Sequence, residues 1–149
     1  MELGLIASTK QKQEYPCRAR TMYSVSRLFS LAFEYARKRY DEIGFLSAKY
    51  GLLLPEDQIQ PYDIALRSMR KAHRMRWADL VFRHIQEKFE PTWDDLVYFH
   101  TGKQYREFLQ PKLEEIGIEC IAPLEGKGIG QQITWYREQL ALFEQKENV

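Results

Sequence analysis

Gly44-Phe45-Leu46-Ser47-Ala48-Lys49-Tyr50-Gly51-Leu52-Leu53-Leu54 is the stretch on which the reading of this chain turns. Ile43 to Leu46 is a short apolar run, and it breaks into a small, charged, glycine-containing segment closed by Pro55. Such a run, bounded in that way, predicts a buried strand that stops at a rim. Ligands of open α/β sheets bind outside the carboxyl ends of strands. Ser47, Lys49 and Tyr50 are therefore candidate site residues, with Gly51 supplying the reversal of the chain.

Three further segments repeat the pattern of strand, then polar loop, then helix. Leu3 to Ala7 reads as a strand ending in Ser8-Thr9-Lys10-Gln11-Lys12. Asp95 to Phe99 reads as another, ending in His100-Thr101-Gly102-Lys103. Ile118 to Ala122 is a fourth, broken by Pro123 and followed by Leu124-Glu125-Gly126-Lys127-Gly128-Ile129-Gly130-Gln131. Between and after them, apolar residues recur at the 3.6-residue helical period. They do so from Leu28 to about Tyr40, from Met69 to Phe89, from Tyr105 to Ile116, and from Ile133 to Phe143. Ser24 and Ser26 are both placed to cap the first of these helices. Alternating strands and helices predict a three-layer α/β fold with a mostly parallel four-stranded sheet flanked by helices. The carboxyl ends of all four strands then share one rim. Residues 1–149 form one domain on this reading, with 143–149 as a frayed tail.

Composition narrows the class. The chain has 149 residues, enough for one proper core, and 22 Lys and Arg against 21 Asp and Glu, which argues against a globally basic nucleic-acid-coating protein. Cys17 and Cys120 make no close metal-type pair, and the three histidines lie far from them, so no structural zinc site and no cofactor are expected. The first residues lack the charge pattern of a signal peptide, and no apolar run is long enough to span a membrane, so a cytoplasmic protein with reduced thiols is expected.

The rim loops carry the chemistry. Lys10, Lys12, Lys49 and Lys103 suit anion binding, and a lysine in a dry pocket can also act as an amine nucleophile. Asp63, delivered by the turn-rich Pro55 to Pro61 segment, is placed to serve as a general base or to orient a lysine. Tyr23, Tyr50 and Tyr62 offer faces on which a base can stack. Gly126, Gly128 and Gly130 precede a helix and can form a nest of backbone N–H groups, with Gln131 beside them. Their spacing matches neither a dinucleotide fingerprint nor a Walker loop. Arg70, Lys71, Arg74, Arg76 and Arg83 give the Met69–Phe89 helix a cationic flank. Each feature also has a plain structural reading as a solvated lysine, a turn aspartate or a core tyrosine.

Taken together, Ser8 to Lys12, Met22-Tyr23-Ser24, Leu46 to Leu52, Pro61-Tyr62-Asp63, Gly102 to Tyr105 and Pro123 to Gln131 resemble a family of small uncharacterised bacterial, archaeal and phage proteins. The resemblance runs from about Leu3 to Leu140 and implies the fold and a pocket. A more distant likeness is to the core domain of archaeosine synthase, which modifies a deazaguanine base in transfer RNA. Ser8 stands at its cysteine place, Lys12 follows four residues on, and Tyr23 and Ser26 keep its three-residue step. Phe29 stands at its histidine place, and the gap between Lys12 and Tyr23 is longer than in that motif. The likeness implies a pocket for a purine-like base. YaaA-type peroxide-stress proteins are also distantly similar, which implies DNA association.

The function expected is that of a nucleobase- or nucleotide-binding enzyme, acting by N-glycosidic cleavage or base modification, as a hydrolase or transferase. Lys12, Lys49 and Asp63 are its catalytic candidates. Ser8, Lys10, Tyr23, Ser26, Ser47, Tyr50, Tyr62, Lys103, Gly126, Gly128, Gly130 and Gln131 are its ligand-binding candidates. The partner is a base or nucleotide, free or within DNA or RNA. The alternative is a non-catalytic nucleic-acid-binding module, such as a phage or stress accessory protein.

Overall fold

A computed structural model describes residues 1–148. Strands β1 (Glu2–Ala7), β3 (Glu42–Ser47), β6 (Leu96–His100) and β7 (Glu119–Ile121) form the parallel part of a sheet. β1 lies between β3 and β6, with Leu5 opposite both Gly44 and Phe99. The sheet has five strands rather than the four expected, in the order β4-β3-β1-β6-β7, because β4 (Gly51–Leu53) returns antiparallel along β3. Gly51 makes this possible: its φ of +74° is left-handed backbone that favours glycine. Leu52-Leu53-Leu54 is too short a run to reveal a strand by periodicity. A second, two-stranded pairing joins β2 (Cys17–Arg18) to β5 (Gln58–Ile59), tying together the two segments read as loops.

Alternate residues of each central strand enter different core clusters, as the two-residue side-chain period requires. Leu3, Leu5, Val97 and Phe99 pack with Trp77, Val81 and Ile85 of α3 (Lys71–Phe89) and with Leu109 and Leu113 of α5 (Leu109–Glu115). Ile6 and Phe45 pack with Phe29, Tyr35 and Ala36 of α2 (Arg27–Arg39) and with Tyr136 and Leu140 of α6 (Ile129–Glu147). Burying each large apolar side chain contributes roughly 1.5–3 kcal/mol. Gly4 is needed at the centre of β1, since a Cβ there would lie 2.3 Å from Cδ2 of Tyr40.

Of the two candidate caps, Ser26 caps α2: its Oγ accepts from the Phe29 amide at 3.2 Å. The Ser24 hydroxyl instead donates to the Thr21 carbonyl, just after the single turn α1 (Ala19–Met22). The helix expected from Tyr105 to Ile116 is split into α4 (Lys103–Arg106) and α5. Residues 143–147, expected to fray, continue α6: Phe143 packs on the core and the Lys38 ammonium bonds Glu147 at 2.8 Å. Val149, the last of that expected tail, lies outside the described residues. Among the described residues, no helix is long and apolar enough to cross a membrane.

Candidate functional site

From β1 the chain crosses through α2 to β3 on one side, then returns through α3 to β6 on the other, so strand order reverses between β1 and β6. Such a switch point opens a crevice at the carboxyl ends of the two strands. A cavity of about 550 Å3 lies there. Ser8, Lys10 and Lys12 line it from the β1 loop, Gln104 and Tyr105 from α4, and Ile129 from the start of α6. Leu28 of α2 adds to the lining, and a further wall is the segment from Asp63 to Ser68, which includes a 3-10 turn (Leu66–Ser68) anchored by the buried Leu66.

Lys12 of the β1 loop and Asp63 of this wall both line the cavity. Partial burial holds the Lys12 ammonium below its usual pKa, opposed by the Asp63 charge. Its Nζ donates to the Lys10 carbonyl at 3.2 Å and stands 4.6 Å from the centre of the Tyr62 ring. Tyr62 belongs to a chain of hydroxyls behind the wall, its oxygen 2.6 Å from that of Tyr23 and 2.8 Å from Oγ of Ser47. Ser47 also accepts from the Tyr50 amide at 3.1 Å. Burial raises the Tyr23 phenol far above its usual range, and the hydrogen-bonded chain acts as a brace. On the other wall, Tyr105 OH lies 3.4 Å from Oγ of Ser8, and burial likewise raises its pKa.

The structure thus brings Ser8, Lys10, Lys12 and Asp63 to one cavity, with Tyr23, Ser47 and Tyr62 immediately behind it. Ser26 is spent on its helix cap. Lys49 is exposed beside the Tyr50 ring and does not line the cavity, and the Tyr50 hydroxyl is bonded to the Gln60 backbone. Lys103 lines a separate shallow groove with Arg106 and Glu125. Gly128 is the N-cap of α6, its amide donating to Oε1 of Gln131 at 3.0 Å. Gly130 and Gln131 line a second depression, with Lys127, Thr134 and Trp135. A Cβ at Gly126, Gly128 or Gly130 would meet nothing within 4 Å, so close helix-sheet packing is not what these glycines serve.

Sequence reasoning missed Arg67, Gln104, Tyr105 and Ile129 as cavity residues. Tyr105 and Ile129 carry the apolar signal of a core position, and Arg67 lies in a segment without periodicity. His100 ends β6 but turns inward: its ring nitrogens lie 2.5 Å from Tyr40 OH and 2.6 Å from Tyr136 OH. Burial lowers its pKa to about 3. Burial also raises both thiols, Cys120 to about 12. Among the described residues, no group of three His, Cys, Asp or Glu side chains is placed to hold a metal ion.

Fold and cavity define a mixed, mostly parallel α/β protein with a ligand-sized crevice where strand order reverses. The chain belongs to a family of unknown function, DUF6884, whose family model matches residues 3–138. No curated protein matches it.

Proposed function

We propose that the protein binds a nucleobase or nucleotide in the crevice between β1 and β6 and acts on it, by N-glycosidic cleavage or by base modification. The observation that carries this reading is the gathering of Lys10, Lys12 and Arg67 around one cavity that also holds Asp63 and the hydroxyls of Ser8 and Tyr105. Three cations against one carboxylate favour an anionic group such as phosphate. Leu28, Ile64 and Ile129 supply apolar surface for a planar base.

Catalysis is assigned to Asp63, as the base or as the stabiliser of positive charge developing on the sugar, with Lys12 fixing it and the phosphate. Lys49 has no place in this assignment because it stands outside the cavity. The reading takes the sheet as the middle of three layers, which the division of the core into two clusters supports. Two free thiols fit a reducing, cytoplasmic setting.

The test is a thermal-shift screen against bases, nucleosides and nucleotides, repeated with Lys12→Ala and Asp63→Asn. A ligand at 100 times its Kd stabilises the native state by about 2.7 kcal/mol. Lys12→Ala should abolish the shift. Asp63→Asn should keep the shift and lose release or exchange of the base, followed by chromatography. A shift insensitive to Lys12→Ala refutes the site. Binding without turnover in the wild type favours the alternative, a non-catalytic module.

A further inference from the structure

We propose that the ligand is a single-stranded polynucleotide rather than a free nucleotide: one base enters the cavity, a neighbouring base stacks on Trp135, and backbone phosphates meet Lys127 on one side and Arg70 and Lys71 on the other. The inference rests on the nucleotide reading of the cavity and extends it to the surfaces that flank it.

The first flank is the depression lined by Lys127, Gly130, Gln131, Thr134 and Trp135, with the Glu138 carboxylate at its far end along α6 from Lys127. Ile129 and Gly130, consecutive at the start of α6, line the first cavity and this depression respectively. Trp135 is half-buried, held edge-on by Tyr35 and Tyr136 at centroid distances of 5.0 and 5.3 Å. A braced aromatic beside a lysine is the combination that binds single strands, with stacking for the base and charge for the backbone. A Cβ at Gly128 or Gly130 would meet nothing within 4 Å, so the surface at the start of α6 is open.

The second flank is the approach to α3. Residues 64–78 carry Arg67, Arg70, Lys71, Arg74 and Arg76 without one Asp or Glu. Arg70 caps α3 and Lys71 opens it, where the helix macrodipole disfavours cations, and the first turn holds no acid. Arg74 is committed internally, donating to the Met69 carbonyl at 2.7 Å. Arg67, Arg70 and Lys71 are exposed and enter no ion pair among the described residues. Arg67 lines the cavity, and Arg70 and Lys71, which follow it in the chain, are not among the cavity's lining residues. A polyanion longer than one nucleotide accounts for charge and stacking surface on both sides.

Fluorescence anisotropy with labelled 12-mer oligodeoxynucleotides and oligoribonucleotides, at about 50 and 200 mM salt, tests this in the whole protein. Three phosphate contacts alone predict a roughly 20-fold loss of affinity across that range, at a slope of about −0.7 per contact on a single strand. The triple variant Arg70→Ala/Lys71→Ala/Lys127→Ala should flatten this dependence and leave the mononucleotide thermal shift unchanged. Trp135→Leu should weaken the 12-mer about tenfold, in the range of one lost stacking contact. Should the 12-mer bind no tighter than a mononucleotide that Lys12→Ala displaces, the inference is overturned and the cavity reading stands. Absence of binding by either ligand overturns both. A 12-mer that binds equally well to the triple variant, or to Lys12→Ala, overturns the inference.

Discussion

Gly130→Ala tests whether the glycines around the start of α6 are kept for something outside the protein's own packing. Gly130 is the second residue of a 19-residue helix, and a Cβ added there meets nothing within 4 Å. Alanine removes backbone freedom from the unfolded chain and is the better helix former, a gain of about 0.5–1 kcal/mol at a compatible site. With an unfolding entropy of about 2.1 cal/mol/K per residue, the gain corresponds to a rise in Tm of about 2–3 °C for a chain of this length. Gly126→Ala is the internal control. It also has open space, but its φ of +81° is left-handed, so the substitution should destabilise by about 1 kcal/mol and lower Tm by a similar margin. Differential scanning calorimetry of the ligand-free proteins reads both signs. A fall in Tm for Gly130→Ala would refute the packing reasoning. A rise in Tm with unchanged ligand affinity would refute the ligand reasoning, because the protein would then forgo stability at that position for no return.

Two further perturbations probe the frame beneath the site. Gly4→Ala forces the Tyr40 ring away from β1 and with it the hydroxyl bonded to His100, an overpacking worth about 1–3 kcal/mol or a Tm lower by roughly 3–10 °C; an unchanged melting curve would contradict the close approach. His100 gives a pH dependence of definite sign. Its folded pKa is about 3 against an ordinary 6.5, so the unfolded chain takes up a proton that the native one refuses. Its contribution is complete above about pH 6.5 and is lost as pH falls toward 3, at no more than about 1.4 kcal/mol per pH unit. Chemical denaturation between those limits should show a shallower pH slope for His100→Gln, and an equal slope in both proteins would refute the assignment.

The central strands and long helices were legible because their signals are local. Leu3 to Ala7, Ile43 to Leu46 and the helical periods starting at Leu28 and Met69 each state a burial pattern within one segment, and Ser26 is a cap by its own chemistry. β4 was not legible, since three residues after a glycine show no period. The site was half legible for a related reason. Polar residues at strand ends announce themselves, and so Ser8, Lys10 and Lys12 were found. Which other loops reach the same cavity depends on how long excursions fold back. Asp63 and Arg67 arrive there through the 55–70 segment, pinned by the β2–β5 pairing and by Leu66, whereas Lys49, in a turn as polar as any, is carried to solvent by the β3–β4 reversal. Tyr105 was read as a core residue and is one, but its hydroxyl also meets Ser8 at the cavity wall.

His100 is the last residue of β6, at the rim where the strand ends meet. Both of its ring nitrogens face hydroxyls inside the protein, and burial keeps the ring neutral, so one nitrogen donates to a tyrosine oxygen and the other accepts. An imidazole committed in this way braces β6 against α2 and α6 and has no free lone pair to offer a substrate. The Tyr23–Tyr62–Ser47 chain is equally closed, each oxygen answering another. Lys12 and Asp63 both line the open cavity, and the hydroxyls behind Lys12 fix the ring over which its ammonium sits. In the proposed reaction the buried networks therefore hold position, while Asp63 serves as base or charge stabiliser and Lys12 fixes it and the phosphate.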